Sequence, residues 1–259
     1  MKVIIISLVF LLTGVQTMLG QQEYDSLKNF TLLTNTEKLP SFYGHLIVLP
    51  HLGLFYDENG MLYALDSIKS KEISQFRFKD IFSFDQLIVN DGTFLVKSQQ
   101  YVLQVDADKT KMIAELDTDA FDIYSGHDGK YNMVVQEDSA LWAWYSCNLK
   151  TLKMDCVVRM KEPISLIFDA QVAKFCVVDK RIYMATDESM VLLTEAEEPV
   201  LDLVITKAGI LFCTEHTLYC INADMQADIY ATGSFHSLYY DNGTFYLVLQ
   251  NGDILKTEL

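Results

Sequence analysis

Six stretches of this 259-residue chain follow one template, and that repetition constrains the fold more than any other feature. In each stretch an apolar run, a tight polar turn and a second apolar run follow one another, which predicts a β-hairpin. The turns centre on Asn59-Gly60, Ser98-Gln99, Glu137-Asp138, Asp187-Glu188, Glu215-His216 and Asn251-Gly252. Successive turns lie 39, 39, 50, 28 and 36 residues apart, about 38 on average. The chain is therefore predicted to be an array of repeated β units.

Each hairpin is preceded by a further apolar run, and several hairpins are followed by a fourth run. Four short strands in about 40 residues are typical of a β-propeller blade. The chain resembles the β-propeller class, most of all the degenerate six-bladed and WD40-like repeat proteins, although the Trp-Asp signature is absent and Trp144-Tyr145 is the nearest pair. The resemblance implies an all-β, six-bladed β-propeller with four-stranded antiparallel blades. A β-sandwich is the alternative, but it has no reason to repeat one unit six times.

The two ends of the chain complement each other in this scheme. The last unit stops after its third strand, whereas residues 29–34 (NFTLLT) form a spare strand before the first unit. Because an open sheet edge invites aggregation, we predict that 29–34 supply the outer strand of the last blade and close the ring. The apolar spacing is continuous or has a period of two, so no helix is predicted.

The first twenty residues have the composition of a secretory signal peptide. Lys2 precedes an apolar run from Val3 to Val15, and the small residue Gly20 stands before a polar stretch. We therefore predict a signal peptide at 1–20 and a single β-propeller domain at 21–259. No later run approaches the roughly 18 apolar residues of a transmembrane helix, so membrane insertion is not expected.

The net charge narrows the range of partners. The chain carries 35 acidic residues against 20 basic residues, a net charge of −15 at pH 7. Nucleic acids and anionic membrane surfaces would repel such a chain. With 50% hydrophobic residues the chain can bury a sizeable core. The charge therefore favours a partner that is neutral, basic or indifferent to charge. The repeat scaffold favours a protein partner held on one face of the propeller.

Catalytic motifs are missing from the sequence. It contains no nucleophile elbow, no C-x-x-C pair and no glycine-rich phosphate loop. No cofactor or metal is expected. Acidic residues near predicted strand starts recur at intervals of 37, 47 and 33 residues, namely Asp85, Asp122, Asp169 and Asp202. They could ring one mouth of the central channel, but the favoured interpretation is that the repeat places structural strand-entry residues there.

Five cysteines allow few pairings. Cys147 and Cys156 flank a turn and are predicted to face each other across neighbouring strands, so this pair is the predicted disulfide. Cys213 and Cys220 flank the fifth hairpin turn, where Cys213 should face Leu218 and lie only diagonal to Cys220. Cys176 is predicted to be a buried free thiol. The alternative is that all five cysteines are reduced.

Two further signals concern the secretory pathway. Asn29 and Asn242 begin N-x-T sequons and are predicted glycosylation sites. The tetrapeptide Lys256-Thr257-Glu258-Leu259 resembles the K-D-E-L retrieval tail of lumenal proteins, with Thr257 in place of Asp. The tail favours residence in the lumen of the endoplasmic reticulum (ER) over the extracellular space. The same residues are predicted to lie in a paired strand, which a retrieval receptor could not read.

These observations support two hypotheses. The first is a non-enzymatic protein-binding β-propeller of the secretory pathway, an interaction or quality-control scaffold. The alternative is a propeller hydrolase or lactonase-like enzyme that uses the channel carboxylates Asp85, Asp122, Asp169 and Asp202 with a metal ion.

Overall fold

The computed structural model describes residues 27, 29–38, 46–49, 53–58, 61–65, 76–77, 85–90, 93–105, 109–170, 173–186, 189–207, 209–222 and 225–259. The predicted signal peptide lies outside these residues, as do the turns predicted at Asn59-Gly60 and Asp187-Glu188. Apart from a short 3-10 helix at Thr36–Lys38, the regular structure in the described residues is β-strand, and no helix there could span a membrane. The strands are β1 (Thr31–Asn35), β2 (Leu46–Leu49), β3 (Gly53–Glu58), β4 (Met61–Ala64), β5 (Phe76–Arg77), β6 (Gln86–Asn90), β7 (Thr93–Ser98), β8 (Tyr101–Val105), β9 (Thr110–Glu115), β10 (Phe121–Ser125), β11 (Lys130–Asp138), β12 (Leu141–Asn148), β13 (Met154–Met160), β14 (Leu166–Ala170), β15 (Ala173–Val178), β16 (Arg181–Ala185), β17 (Met190–Glu195), β18 (Asp202–Thr206), β19 (Gly209–Cys213), β20 (Thr217–Ile221), β21 (Ala227–Thr232), β22 (Phe235–Asp241), β23 (Thr244–Leu249) and β24 (Asp253–Glu258).

The strands form four-stranded antiparallel sheets, the predicted blades of a β-propeller. The sheets are β2-β3-β4-β5, β6-β7-β8-β9, β10-β11-β12-β13, β14-β15-β16-β17, β18-β19-β20-β21 and β1-β24-β23-β22. In five of these sheets every strand has at least five residues, whereas β5 has only two. The chain is thus an all-β propeller with five fully formed blades and one blade whose outer strand is minimal.

The described chain divides into two compact units, residues 37–178 in the first and residues 27–36 with 179–259 in the second. In the first unit the sheets pack through their first strands, β2 against β6, β6 against β10 and β10 against β14. In the second unit β18 packs against β22 in the same way. We call these packing strands (β2, β6, β10, β14, β18 and β22) the inner strands, and the strands at the opposite edge of each sheet (β5, β9, β13, β17, β21 and β1) the outer strands.

The second strands β15 and β19 are buried on both faces. All five residues of β19 and five of the six residues of β15 are buried. A strand covered on both faces needs apolar side chains on both, which explains why the sequence shows continuous apolar runs at these positions rather than alternation. In the first unit one core cluster joins the sheets of β6–β9 and β10–β13 and includes Leu95, Phe121 and Met133.

The N-terminal strand completes the last sheet, as predicted. β1 pairs antiparallel with β24, with Thr31 opposite Lys256 and Asn35 opposite Asp253. The sheet order β1-β24-β23-β22 places β1 in the outer position. The prediction that residues 29–34 contain this strand is confirmed, with a shift of one to two residues.

One predicted hairpin is assigned to the wrong pair of strands. The turn predicted at Asp187-Glu188 was expected to join the second and third strands of the fourth unit, but it falls between β16 and β17, the third and fourth strands. The second and third strands, β15 and β16, are joined at Asp179-Lys180, where Asp179 has a φ of 55°. The irregular intervals of 50 and 28 residues arise from this displacement.

Five outer strands carry the same irregularity, a register shift that skips one residue in the pairing with the neighbouring strand. The skipped residues in β1, β9, β13, β17 and β21 are Leu33, Ile113, Val157, Leu193 and Tyr230. The residue just before each one is exposed, and these residues are Leu32, Met112, Cys156, Leu192 and Ile229. Bulges bend an edge strand and discourage pairing between molecules. The repeat therefore interrupts each of these outer strands at one position.

The turn between β23 and β24 contacts the end of β1 through Gly252, so substitution of this glycine tests how β1 is docked. Gly252 has a φ of +84°, its carbonyl accepts the Thr36 N–H at 2.8 Å, and a Cβ at this position would overlap the Thr36 hydroxyl. Gly129 has a φ of +69° but no atom within 4 Å of such a Cβ. We expect Gly129→Ala to cost about 1 kcal/mol of unfolding free energy from backbone strain alone. Gly252→Ala should cost at least about 2 kcal/mol because steric overlap adds to that strain.

Urea unfolding followed by circular dichroism measures both variants. Equal losses for Gly129→Ala and Gly252→Ala would contradict the packing of the β1 end against this turn.

Candidate functional site

Asp202 connects two neighbouring inner strands of the second unit. It begins β18, and its Oδ2 accepts the N–H of Leu238 in β22 at 2.8 Å, while its Oδ1 accepts the Leu203 N–H at 2.8 Å. Gln86 begins β6 in the first unit, and its Oε1 accepts the N–H of Ile123 in β10 at 2.8 Å. The joined residues are 36 and 37 positions apart. This is one inter-blade contact repeated, so Asp202 serves as a structural acceptor.

The environment of Asp202 also changes its acidity. Burial raises the pKa of Asp202 to about 7, although the two backbone N–H groups favour the charged form. Cys213 stands directly opposite in the β18–β19 ladder. Burial, and after it the Asp202 charge, raise the pKa of Tyr239. At neutral pH the Asp202 carboxyl is therefore divided between its protonated and ionised forms.

Asp85 and Asp122 lie at strand starts, as predicted, and have different partners. The Asp85 carboxylate accepts the Gln99 N–H at 2.8 Å within its own sheet. The Asp122 carboxylate lies 3.9 Å from Lys97 Nζ, and this ammonium is 4.9 Å from the centroid of the Phe121 ring. Burial raises the pKa of Asp122, and the Lys97 charge opposes that effect. Each carboxylate is thus engaged within the fold.

The prediction that Asp169 begins a strand is wrong. Asp169 is the fourth of five residues in β14, because the two apolar runs around it are the separate strands β14 and β15. Its Oδ2 accepts from Asn132 Nδ2 at 2.8 Å and lies 3.4 Å from Lys174 Nζ. Asn132 in turn accepts the Trp144 Nε1–H at 2.8 Å and donates to the Ser125 carbonyl at 3.0 Å. Asp169 anchors a buried polar network.

The predicted acids do not converge on a ligand site in the first unit. Asp122 is near the start of its inner strand and Asp169 is near the end of the next inner strand. Among the described residues, no three His, Cys, Asp or Glu side chains are grouped so that they could hold a metal ion. The geometry favours the interpretation of these acids as structural residues.

The predicted disulfide is not formed. Both thiols are free, with Cys147 buried and Cys156 exposed. The register places Cys147 opposite Met154 and Cys156 opposite Tyr145, so the two cysteines are diagonal rather than facing. The predicted disulfide is therefore corrected. Facing cysteines would require Cys156 opposite Cys147, but the short turn between β12 and β13 places Met154, two residues earlier in the chain, at that position.

The other cysteines follow their predicted positions. Cys213 pairs with Leu218, and Cys220 pairs with Leu211, so Cys213 and Cys220 are diagonal. Cys176 is a buried free thiol, and burial raises its pKa to about 12. A thiol with so high a pKa is inert at neutral pH.

Both predicted glycosylation sites lie on the surface. Asn29 is exposed just before β1, and Asn242 is exposed in the turn between β22 and β23 with a φ of 46°. An accessible turn is the setting that an attached glycan requires.

The KDEL-like tail is part of the last sheet, as its strand pattern predicts. Lys256 pairs with Tyr246 on one side and with Thr31 on the other, while Thr257 and Glu258 pair only toward β23. The Leu259 N–H donates to the Gly243 carbonyl at 2.7 Å. A receptor that binds these four residues therefore requires that the end of β24 first leave the sheet.

The feature that sequence reasoning missed is an exposed edge formed by β13 and the turn before it. Residues 150–157 are eight consecutive exposed residues, the longest such run in the described part of the chain. Leu152, Met154 and Val157 are three of the nine exposed large hydrophobics found there. The missed signal is local charge: between 150 and 162, four basic residues accompany two acidic residues in a chain with the opposite balance. We call residues 150–161 the β13 edge.

Comparison with known proteins defines the class of the fold. No known protein family and no curated protein matches the sequence. The chain is similar in structure to a catalytically inactive virginiamycin B lyase from Staphylococcus aureus solved with quinupristin, with 13% identity, a TM-score of 0.58 and coverage of 85% of this chain and 83% of the lyase. It is also similar to the N-terminal domain of Nup159, with 10% identity, a TM-score of 0.54 and coverage of 92% and 81%. A third similar structure is the AfRom2 CNH domain, with 11% identity, a TM-score of 0.52 and coverage of 89% and 99%. At these identities the likeness concerns the propeller fold alone.

Proposed function

We propose that this chain is a non-enzymatic protein-binding propeller of the secretory pathway, resident in the ER lumen. The observation that carries the proposal is the engagement of the candidate acids: Asp169 and Asp202 hold strands and blades together through the hydrogen bonds described above. Rigid scaffolds of this kind commonly present exposed turns and edges to partners. Binding through such surfaces is the function that the exposed residues support.

The compartment rests on three sequence signals. They are the predicted signal peptide at 1–20, the sequons at Asn29 and Asn242, and the tail at 256–259. The exposed positions of both asparagines support glycosylation. Retrieval by the tail requires transient release of the end of β24.

Affinity purification from lumenal extract tests the binding function. Lys130 and Ser139 are exposed at opposite ends of the β11–β12 hairpin, so each marks one of the two propeller faces at this blade. We expect the intact protein to recover a partner that either Lys130→Glu or Ser139→Arg loses, because each substitution alters one face without touching the core. The proposal of face binding fails if both variants retain every partner of the intact protein.

Secretion assays test the compartment. We expect the tagged intact protein to stay inside cells, and a version with several polar residues added after Leu259 to reach the medium, because the addition hides a terminal signal and leaves β24 paired. Deletion of 256–259 is the comparison variant, and it should also destabilise the last sheet by removing paired strand residues. Retention of the extended protein in the cell would contradict retrieval by the tail and leave the binding proposal intact.

A further inference from the structure

The β13 edge differs from the other outer strands in length and exposure. β13 has seven residues, against six or fewer in each of the other outer strands of the described chain. Val157, the residue skipped in the register of β13, is 37% exposed, whereas the equivalent Ile113 in β9 is 6% exposed. The bulge in β9 thus buries its apolar side chain, whereas the bulge in β13 leaves the equivalent side chain in solvent.

Backbone pairing is available along part of this edge. Before the bulge, Met154, Asp155 and Cys156 pair in regular register with β12. β13 is the terminal strand of its sheet, and no described strand pairs with its other side. In a strand that is paired on one side only, alternate backbone N–H and C=O groups point away from the sheet. An extended peptide added there would gain main-chain hydrogen bonds.

The side chains of the β13 edge specify the chemistry of such a peptide. Met154 and Cys156 are two residues apart and lie on the same face, which offers apolar contact. Lys150, Lys153 and Lys161 are exposed, in a protein whose net charge is −15. Lys153 Nζ lies 2.6 Å from the Asp155 carboxylate, so the other two lysines carry most of the excess positive charge. An apolar surface bordered by lysines complements a segment that alternates apolar and acidic side chains.

We infer that the β13 edge binds an extended, acidic and apolar segment of a partner protein as an added antiparallel or parallel strand. This inference rests on the proposed protein-binding function and assigns it a surface and a partner chemistry. An anionic membrane surface would also attract lysines beside apolar side chains, but it makes no use of the free strand edge. The open ladder of β13 therefore favours the peptide.

The test uses the full purified protein and a fluorescein-labelled heptapeptide of alternating valine and glutamate, with binding followed by fluorescence anisotropy. A peptide of alternating valine and lysine is the charge control. We expect the acidic peptide to bind at least about tenfold more tightly than the basic peptide. Raising the salt from about 50 mM to about 500 mM should weaken its binding, because surface charges are then screened.

Variants assign the binding to the β13 edge. Lys150→Glu combined with Lys161→Glu should weaken the acidic peptide by at least about tenfold. Ile229→Glu is the matched control, since Ile229 stands before the bulge of β21 as Cys156 does in β13, and it should change binding by less than about twofold. If the charge-reversed variant does not fold, as judged by its urea midpoint, Lys150→Gln with Lys161→Gln provides the measurement and should weaken binding severalfold.

The opposite results overturn the inference. It fails if the basic peptide binds as tightly as the acidic one, or if Ile229→Glu weakens binding as much as the lysine variant does. It also fails if phosphatidylserine vesicles capture the protein in a lysine-dependent way and the acidic peptide does not bind. If Lys130→Glu or Ser139→Arg loses a lumenal partner that the lysine variant retains, the proposed function stands and the assignment to the β13 edge falls.

Discussion

Replacing Trp144 with alanine will lower the free energy of unfolding by about 3–5 kcal/mol, the largest loss expected from a single substitution in this chain. Trp144 is fully buried, and truncation would leave a large cavity in the sheet of β10–β13. The indole also donates to Asn132 Oδ1 at 2.8 Å, so its removal leaves a buried amide oxygen without its donor. Urea unfolding followed by far-ultraviolet circular dichroism measures the loss.

Trp142 provides the internal control. It is the other tryptophan of the chain, it lies two residues away on the same strand, and it is only partly buried. Trp142→Ala should cost about 1 kcal/mol. Similar losses for the two variants would show that the Trp144 site is not the packed centre of this blade.

Trp144→Phe separates the hydrogen bond from the packing. Phenylalanine retains most of the ring volume but cannot donate to Asn132, so about 1–3 kcal/mol should be lost through the unsatisfied oxygen. Combining it with Asn132→Ala in a double-mutant cycle should give a coupling energy of about 1 kcal/mol or more. If the stability losses of Trp144→Phe and Asn132→Ala simply add, Trp144 stabilises the blade through packing alone.

The sequence predicts the blade pattern well because hairpin turns are local. Cys213 faces Leu218 across the fifth turn, as the spacing predicts, and β1 pairs with β24 because a sheet edge favours closure. The hairpin between β11 and β12 turns two residues later than predicted, at 139–140. Glu137 stays in the strand because Arg159 binds its carboxylate through two hydrogen bonds of 2.8 and 3.0 Å. Such a contact with a residue two strands away is not visible in local sequence.

The fourth blade shows where periodicity fails. The β15–β16 turn at Asp179-Lys180 and the residues between β16 and β17 (186–189) are both short, polar segments of the sequence, and the pattern does not distinguish them. Choosing the later turn shifts the blade by one strand, and that shift also moves Asp169 from the end of an inner strand to an apparent start. The intervals of 50 and 28 residues were the available signal, because one long and one short interval in succession indicate a displaced turn.

The roles of the acids depended on contacts between blades. Asp202 and Gln86 occupy the same place at the start of an inner strand, yet one is ionisable and the other is not. Repeat spacing predicts the position, but the partner N–H groups of Leu238 and Ile123 become apparent only when neighbouring blades are packed. For the same reason the β13 edge could not be predicted, since exposure of an outer strand depends on how its bulge turns.

The titration of Asp202 makes stability depend on pH in a defined direction. The folded-state pKa of about 7 lies well above the ordinary aspartate pKa of 3.8, which applies to the unfolded chain. Between these values the folded protein retains a proton that the unfolded chain has released, so the free energy of unfolding falls as pH rises. The contribution is fully present below about pH 4 and is lost above about pH 7, and its limit is on the order of 4 kcal/mol.

Asp202→Asn should remove this component of the pH dependence. The amide resembles the protonated carboxyl in shape, and it can accept one of the two backbone N–H bonds, so a constant offset of about 1 kcal/mol is expected. Urea titration measures the unfolding free energies of the variant and the parent from about pH 4 to about pH 8. We expect the variant's value minus the parent's value to increase by several kcal/mol over this range, because only the parent loses stability as the carboxyl ionises. Gln86→Glu is the reciprocal variant, since it places a carboxyl at the equivalent blade contact and should introduce a similar loss at high pH. A parallel pair of curves for Asp202→Asn and the parent would show that this carboxyl ionises as freely in the folded protein as in the unfolded chain.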